Sequence, residues 1–132
     1  MSDGADIELL HRVWEAMSGD GDLSVLEGAL DPEAQWLGVE DGQICENRKM
    51  ILTVMKRNLP TGFAGRIEET VEVDGRIVVA FRPDHARDDG RPLDQGIAYV
   101  VVTIRDRKIV ELKGCADRAA AMTYAQTGAA KD

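Results

Sequence analysis

The sequence is poor in the residues that build several common kinds of functional site. Its 132 residues include two cysteines and two histidines. Cys45 and Cys115 form no CxxC pair and have no neighbouring histidine, so neither a metal site nor a disulfide framework is expected. The sequence also contains no phosphate-binding loop, nucleophile elbow or HExxH motif. We therefore expect no metal, no cofactor and a reduced, cytoplasmic setting.

Positive charge is scarce as well. Lysine and arginine number 16 against 24 acidic residues, which gives a formal net charge of −8. Proteins that bind nucleic acid or anionic membranes gain affinity from clustered basic residues, so the charge argues against both kinds of partner. No apolar run approaches the ~20 residues that span a bilayer. The first residues, "MSDGADIELL", lack the basic and apolar regions of a signal peptide, and none is expected.

The apolar residues that are present, 44% of the chain, suffice for a single domain over residues 1–132 with its core at about 6–126. Apolar spacing of three and four predicts one helix over about 6–18 and another over about 48–59, with Met50 on its apolar stripe. A short helix over 23–30, capped by Asp22 and closed by Asp31-Pro32, comes between them. Next comes a strand with Trp36, then a loop, "DGQICEN", whose Asn47 caps the third helix.

After residue 65 the apolar period changes to two. Strands are predicted over 66–73, 76–82, 97–104 and 108–115, with a tight hairpin at Asp74-Gly75. In the first of these strands Ile67, Val71 and Val73 are expected on one face. Asp117 then caps a short terminal helix over 118–126. The order α-α-β-α-β-β-β-β, with this short terminal helix, indicates an α+β protein whose helices pack on one face of a curved antiparallel sheet.

Both faces of the strand over 97–104 are apolar. Since helices are expected to cover one face, the other must be hidden in another way, and a homodimer is the simplest solution. The predicted dimer face includes Tyr99, Val101 and Thr103.

Three segments carry a family resemblance that spans about residues 6–126: "GDGDLSVLEGALDPEAQW", "ICENRKMI" and "VVVTIRDRKIVELKGCADRAAAM". In their order and spacing they resemble the nuclear transport factor 2-like superfamily, which includes SnoaL-like polyketide cyclases and ketosteroid isomerase. The resemblance implies a cone in which helices and the concave sheet face enclose an apolar cavity. It is specific for fold rather than for activity, because this fold hosts enzymes and binding proteins alike.

The resemblance also argues against ketosteroid isomerase chemistry. That enzyme uses an aspartate base and an oxyanion hole of tyrosine and protonated aspartate. The matching positions here hold Gly38 for the base, Trp14 for the tyrosine and Val100 for the protonated acid. An indole N–H donates a hydrogen bond but does not exchange protons, and the other two side chains do neither.

Trp36 and Gly38 share a strand face that looks into the cone, and Trp14 projects towards the same space. Two interpretations remain open: the indoles line a pocket in which the glycines leave room, or they fill a packed core. The predicted pocket lining is Trp14, Met17, Trp36, Gly38, Val54, Met55, Asn58, Val100, Val102 and Gly114.

Three functions follow as hypotheses. The first is a homodimer that binds a small, mainly apolar molecule in the cone. The second is an enzyme of the cyclase, isomerase or dehydratase kind, with Glu40 near the mouth or His85 in the 83–96 connection as acid or base, although a solvated loop role is the simpler interpretation of each. The third is an interaction module with a filled core. Whether the 83–96 connection closes over the pocket is left open.

Overall fold

The computed structural model of the chain describes residues 4–19, 23–38, 44–58, 65–73, 75–83 and 97–127. Within these residues the predicted α+β class and element order are confirmed, with one strand more than expected. Ile44–Cys45, placed in a loop by the sequence, pairs antiparallel with the end of the strand that carries Trp36. The elements in chain order are α1 (Gly4–Gly19), α2 (Ser24–Ala29), β1 (Leu30–Leu37), β2 (Ile44–Cys45), α3 (Arg48–Asn58), β3 (Gly65–Val73), β4 (Arg76–Pro83), β5 (Ala98–Arg105), β6 (Lys108–Cys115) and α4 (Arg118–Thr127).

Two of the predicted helix caps are confirmed. The Met50 amide donates to Asn47 Oδ1 at 3.0 Å at the start of α3, and the Ala120 amide donates to Asp117 Oδ1 at 2.8 Å at the start of α4. Each bond satisfies an N–H that has no partner within its helix. The predicted cap of α2, Asp22, lies outside the described residues.

Two tight hairpins set the register of the last four strands. Gly75 has φ 83°, and Val73 pairs with Arg76 across the predicted β3–β4 turn. Between β5 and β6, Asp106 and Arg107 have φ 53° and 64°. Positive φ at both central residues is what a type I′ hairpin requires, but it costs free energy for an arginine.

The six strands form one sheet in the order β2-β1-β6-β5-β4-β3. Its neighbours are antiparallel except β1 and β6, which are parallel, so the sheet is not wholly antiparallel as expected. Asp31-Pro32, predicted to close α2, lies inside β1. The pairing of β1 with β6 shifts register between Leu30 and Gln35, and such irregularities accommodate a proline that cannot donate to the ladder.

The first three helices cover one face of the sheet, called here the inner face. Leu10 of α1, Leu26 of α2 and Ile51 of α3 are buried in one cluster with strand side chains from β1, β4, β5 and β6. Met50, predicted on the apolar stripe of α3, is instead 42% exposed. It lies in the first turn of the helix, away from this cluster.

A β-bulge in β3 overturns the prediction that Ile67, Val71 and Val73 share a face. Ile67 pairs with Phe81, and the register then shifts before the next pair, Glu69 with Ala80. The extra residue reverses the alternation of side chains. Ile67 therefore packs against the inner cluster, while the two valines pack on the opposite face.

The opposite, or outer, face is covered by α4, which contacts β3, β4, β5 and β6. Ala121, Tyr124 and Ala125 of this helix are buried against Val78 and Val101. The expectation that helices cover only one face is therefore wrong, because the terminal helix folds back over the other. Of the predicted dimer residues, Val101 is 0% and Thr103 7% exposed within the single chain, and Tyr99 is half-buried.

Candidate functional site

The strands present two apolar rows to the inner helices. In the first row Trp36 pairs with Leu112, Leu112 with Val102, and Val102 with Ile77. In the second row Gly114 pairs with Val100, which pairs with Val79. Side chains of laterally paired residues lie on the same face of a sheet. The rows therefore form a continuous apolar wall, in which Gly114 contributes no side chain.

Trp14 approaches this wall from α1. Its side chain is 4% exposed, and its ring centroid lies 5.5 Å from that of Phe81, with the two planes inclined by 58°. A tilted arrangement at this separation is a favourable aromatic contact. Trp36, 8% exposed, belongs to the same cluster, so both indoles lie on the inner side of the sheet.

Helix α3 contributes further side chains to the inner cluster, beside those of the strands and of α1. Met55 is 2% exposed in the inner cluster, and Val54 packs against it half-buried. Met17 and Asn58 lie in α1 and α3, but their side chains are not among those described. The structure thus brings together Trp14, Trp36, Val54, Met55, Val100 and Val102, with Gly114 in the same rows and Gly38 following β1.

The two candidate acid–base residues, Glu40 and His85, lie outside the described residues, as does most of the 83–96 connection. The other histidine, His11, is exposed on α1. The rows described above consist of apolar side chains and one glycine. Together with Trp14 they offer contact area and two indole N–H groups, and none of these groups transfers a proton.

The indole N–H of Trp14 is the distinctive polar feature of the inner cluster. Trp14 Nε1 is buried and has no hydrogen-bond partner in the described part of the chain. Leaving a buried donor unpaired costs about 1–3 kcal/mol, whereas a typical satisfied hydrogen bond stabilises a fold by about 1 kcal/mol. Native structures pair the great majority of such groups, so an exception calls for a physical explanation.

Two residues beside the indoles were not predicted as part of a site. Phe81 follows an apolar run, "IVVA", whose two faces cannot be told apart by alternation alone. Cys45 pairs with Trp36 through β2, a strand too short to be recognised from sequence. Burial raises the pKa of the Cys45 thiol, which favours the neutral, weakly nucleophilic form at neutral pH.

Two basic side chains donate hydrogen bonds to backbone carbonyls at the two ends of β1. Arg48 Nη1, at the start of α3, donates to the Leu30 carbonyl at 3.5 Å. Lys113 Nζ donates to the Gly38 carbonyl at 2.7 Å. Trp36 is thereby held on a strand that is fixed at both ends.

Two features are absent from the described residues. They contain no group of three or more His, Cys, Asp or Glu side chains placed to hold a metal ion. None of their helices is long and apolar enough to cross a membrane.

Neither a protein-family model nor a curated protein matches the sequence, but solved structures match most of the chain. A proposed SnoaL-like polyketide cyclase from Jannaschia sp. CCS1 is 18% identical, with a TM-score of 0.68 over 92% of each chain. A proposed polyketide cyclase from Sinorhizobium meliloti is 17% identical, with a TM-score of 0.66 over 86% of this chain and 99% of that one. TerC, co-crystallised with polyporic acid, is 17% identical, with a TM-score of 0.64 over 87% of this chain and 93% of that one.

At these identities the likeness concerns the fold. The chain has the nuclear transport factor 2-like fold found in the SnoaL-like structures, and the resemblance predicted from its three segments is confirmed at that level. Because this fold carries many unrelated activities, function has to be argued from the residues of the inner face.

Proposed function

We propose that this protein binds a small, mainly apolar molecule against the inner face of its sheet, and that the molecule accepts a hydrogen bond from Trp14 Nε1. The single observation that carries the proposal is the buried, unpaired indole N–H in an otherwise apolar cluster. The apolar rows would supply contact area, and the N–H would orient a carbonyl or hydroxyl oxygen.

The free-energy argument favours a ligand that has both properties. An acceptor placed at Trp14 Nε1 would remove the cost of the unpaired donor, about 1–3 kcal/mol, in addition to forming the bond. A purely apolar ligand would leave that cost in place. Ketones, quinones and phenols with fused or linked rings combine an oxygen acceptor with a large apolar surface.

The structural neighbours support the same chemical class without identifying the ligand. TerC was co-crystallised with polyporic acid, and two other neighbours are proposed polyketide cyclases. Those descriptions belong to those proteins. For this chain they suggest the first probes: polyporic acid itself, then a panel of polycyclic ketones and terpenoid alcohols.

Tryptophan fluorescence tests the proposal. The wild type, Trp14→Phe and Trp36→Phe are titrated with polyporic acid and the panel, each single variant retaining one indole as reporter. We expect saturable quenching in the wild type and binding at least roughly 5-fold weaker in Trp14→Phe, because this variant has no unpaired donor whose cost of about 1–3 kcal/mol the ligand could remove. Apolar analogues of the same shape but without an oxygen acceptor should bind both proteins equally.

A flat response across the panel from a folded protein would refute the proposal. It would favour the alternative of a filled core, which the close burial of Val102 and Ile51 supports, each being 0% exposed. The protein would then act through its surface as an interaction module.

Turnover is a separate proposal that concerns residues outside the described part of the chain. If a bound ligand is converted in a cyclase-, isomerase- or dehydratase-type reaction, Glu40 or His85 would move the proton. Glu40→Gln and His85→Asn would then abolish conversion while ligand binding persists. Unchanged conversion in the double variant would exclude both residues.

Assembly and location complete the proposal. We propose a homodimer, tested by measuring the mass in solution over a range of protein concentrations. We also propose the cytoplasm as its location, which the free thiols of Cys45 and Cys115 support.

A further inference from the structure

The outer face of the sheet carries a polar row at one end. Glu111 on β6 pairs with Thr103 on β5, and Thr103 pairs with Arg76 on β4. The three side chains therefore lie side by side, an acid and a base on either side of a hydroxyl. The next row along the same face is largely apolar, with Val101 paired to Val78.

Helix α4 covers this face but leaves two polar atoms of the row without a partner. Arg76 Nε and Thr103 Oγ1 are buried and have no hydrogen-bond partner among the described residues. Tyr124 of α4 donates its hydroxyl to Glu111 Oε1 at 2.5 Å. Glu111, at one end of the row, is thus paired, whereas Thr103 Oγ1 in the middle and the Nε atom of the half-buried Arg76 are removed from water without a hydrogen bond.

The attachments of α4 are few. Its first turn is held by Arg118, which donates to both carboxylate oxygens of Glu69 at 3.3 and 3.2 Å, but both side chains are about half exposed. Exposed ion pairs contribute little to stability. Two of the three side chains that the helix buries are alanines, which offer little apolar area. Ten residues are also too few for a helix to persist alone in water.

We propose that α4 is a displaceable cover, and that a second copy of this chain is the alternative occupant of the outer face. A two-fold axis parallel to β5 and passing near Thr103 would place Arg76 opposite Glu111 of the partner subunit, and the reverse. The row is thus complementary to itself in charge, as an isologous contact requires. This inference rests on the proposed homodimer. It specifies which surface the two copies share and that the position of α4 controls whether they associate.

The first experiment releases α4 by charge. Ala121→Glu places a carboxylate at a position that is 0% exposed beneath the helix. Ala120→Glu places the same group one residue earlier, on the solvent side of the same helix. Sedimentation velocity over a wide concentration range gives the dimer dissociation constant of each. We expect Ala121→Glu to dimerise at least tenfold more tightly than the wild type, and Ala120→Glu to match the wild type.

The second experiment tests the register by exchanging charges in the Ala121→Glu background. Glu111→Arg should weaken the dimer at least tenfold, because two basic side chains would then face each other across the axis. Adding Arg76→Glu should restore it. A merely structural role of Glu111 in holding Tyr124 would not be rescued by a change on β4.

The outcomes distinguish the proposed homodimer from the proposed displacement of α4. Monomers at all concentrations in the wild type and in folded Ala121→Glu would overturn both. A wild-type dimer whose affinity Ala121→Glu leaves unchanged would retain the homodimer and overturn the displaceable cover. Failure of Arg76→Glu to rescue would overturn the register. If circular dichroism shows Ala121→Glu to be unfolded, Tyr124→Phe, which removes only the bond to Glu111, should tighten the dimer at least twofold, and no change would overturn the cover.

Discussion

Replacing Trp14 with phenylalanine should affect stability far less than its burial suggests. Phenylalanine buries roughly 40 Å² less than tryptophan, which costs about 1 kcal/mol of transfer free energy. The small cavity left behind adds about 1 kcal/mol more. Against these losses, the variant no longer buries an unpaired N–H, which returns about 1–3 kcal/mol. The free energy of unfolding should therefore stay within about 1 kcal/mol of the wild type.

Trp36→Phe is the matched control. It removes the same area from the same inner cluster, but its indole nitrogen is not among the unpaired buried atoms of the described residues. Trp36→Phe removes no unpaired N–H that would compensate for the lost burial and the cavity. It should therefore lower the free energy of unfolding by about 2 kcal/mol or more. Urea unfolding monitored by far-ultraviolet circular dichroism suits both variants, because it does not depend on the removed fluorophore.

The difference between the two variants is the diagnostic quantity. A loss of 3 kcal/mol or more in Trp14→Phe would mean that its N–H is paired in solution, and the argument for a ligand acceptor at this atom would fail. A Trp14→Phe variant that keeps the stability of the wild type but binds polyporic acid more weakly would show that the N–H contributes to binding and not to stability. That combination is expected where a fold tolerates a cost for the sake of a binding site.

Three other predictions concern turns, caps and thiols, all measured as free energies of unfolding in urea. Arg107→Gly should stabilise the fold by about 1 kcal/mol, because glycine adopts φ 64° without strain. Arg105→Gly, within β5, is the control and should destabilise the fold by about 0.5–1 kcal/mol. Equal effects of the two substitutions would show that the Arg107 backbone is not strained. Asn47→Ala should cost about 1 kcal/mol through the lost cap of α3, and a neutral result would mean that water replaces it. Burial raises the pKa of the Cys115 thiol from 9.0 to about 11. The unfolded chain therefore loses this proton at lower pH than the folded protein, and the free energy of unfolding should fall between pH 9 and 11. Cys115→Ala should reduce that fall by up to about 2–3 kcal/mol, and an unchanged fall would show that the thiol is not responsible.

The elements themselves could be predicted from local patterns, because their causes are local. Apolar spacing of three to four placed α1 and α3 within two residues of their observed ends. The caps Asn47 and Asp117 were recognisable from residue type and position alone. The two-residue strand β2 could not be found this way, since it exists only through its pairing with β1.

The faces of the strands were harder to predict than the strands. The alternation in β5 was regular, and the parity of Trp36 with Gly38 placed the indole on the inner side. In β3 one extra residue between Ile67 and Glu69 reversed the pattern, and nothing in "RIEETVEV" marks the bulge. Parity arguments therefore hold only up to the first irregularity in a strand, which is set by packing against neighbouring elements.

The cover of the outer face could not be predicted because the terminal helix is weakly amphipathic. Of its buried positions only Tyr124 carries a large side chain, and alanines at the others fit a solvent-facing helix equally well. The sequence correctly indicated that this face is apolar and needs cover, but not which of two occupants supplies it. A helix with such a small apolar face gains little by docking, and it leaves Arg76 and Thr103 with buried, unpaired atoms. The same weakness that hid this contact from the sequence is what makes exchange for a second copy physically reasonable.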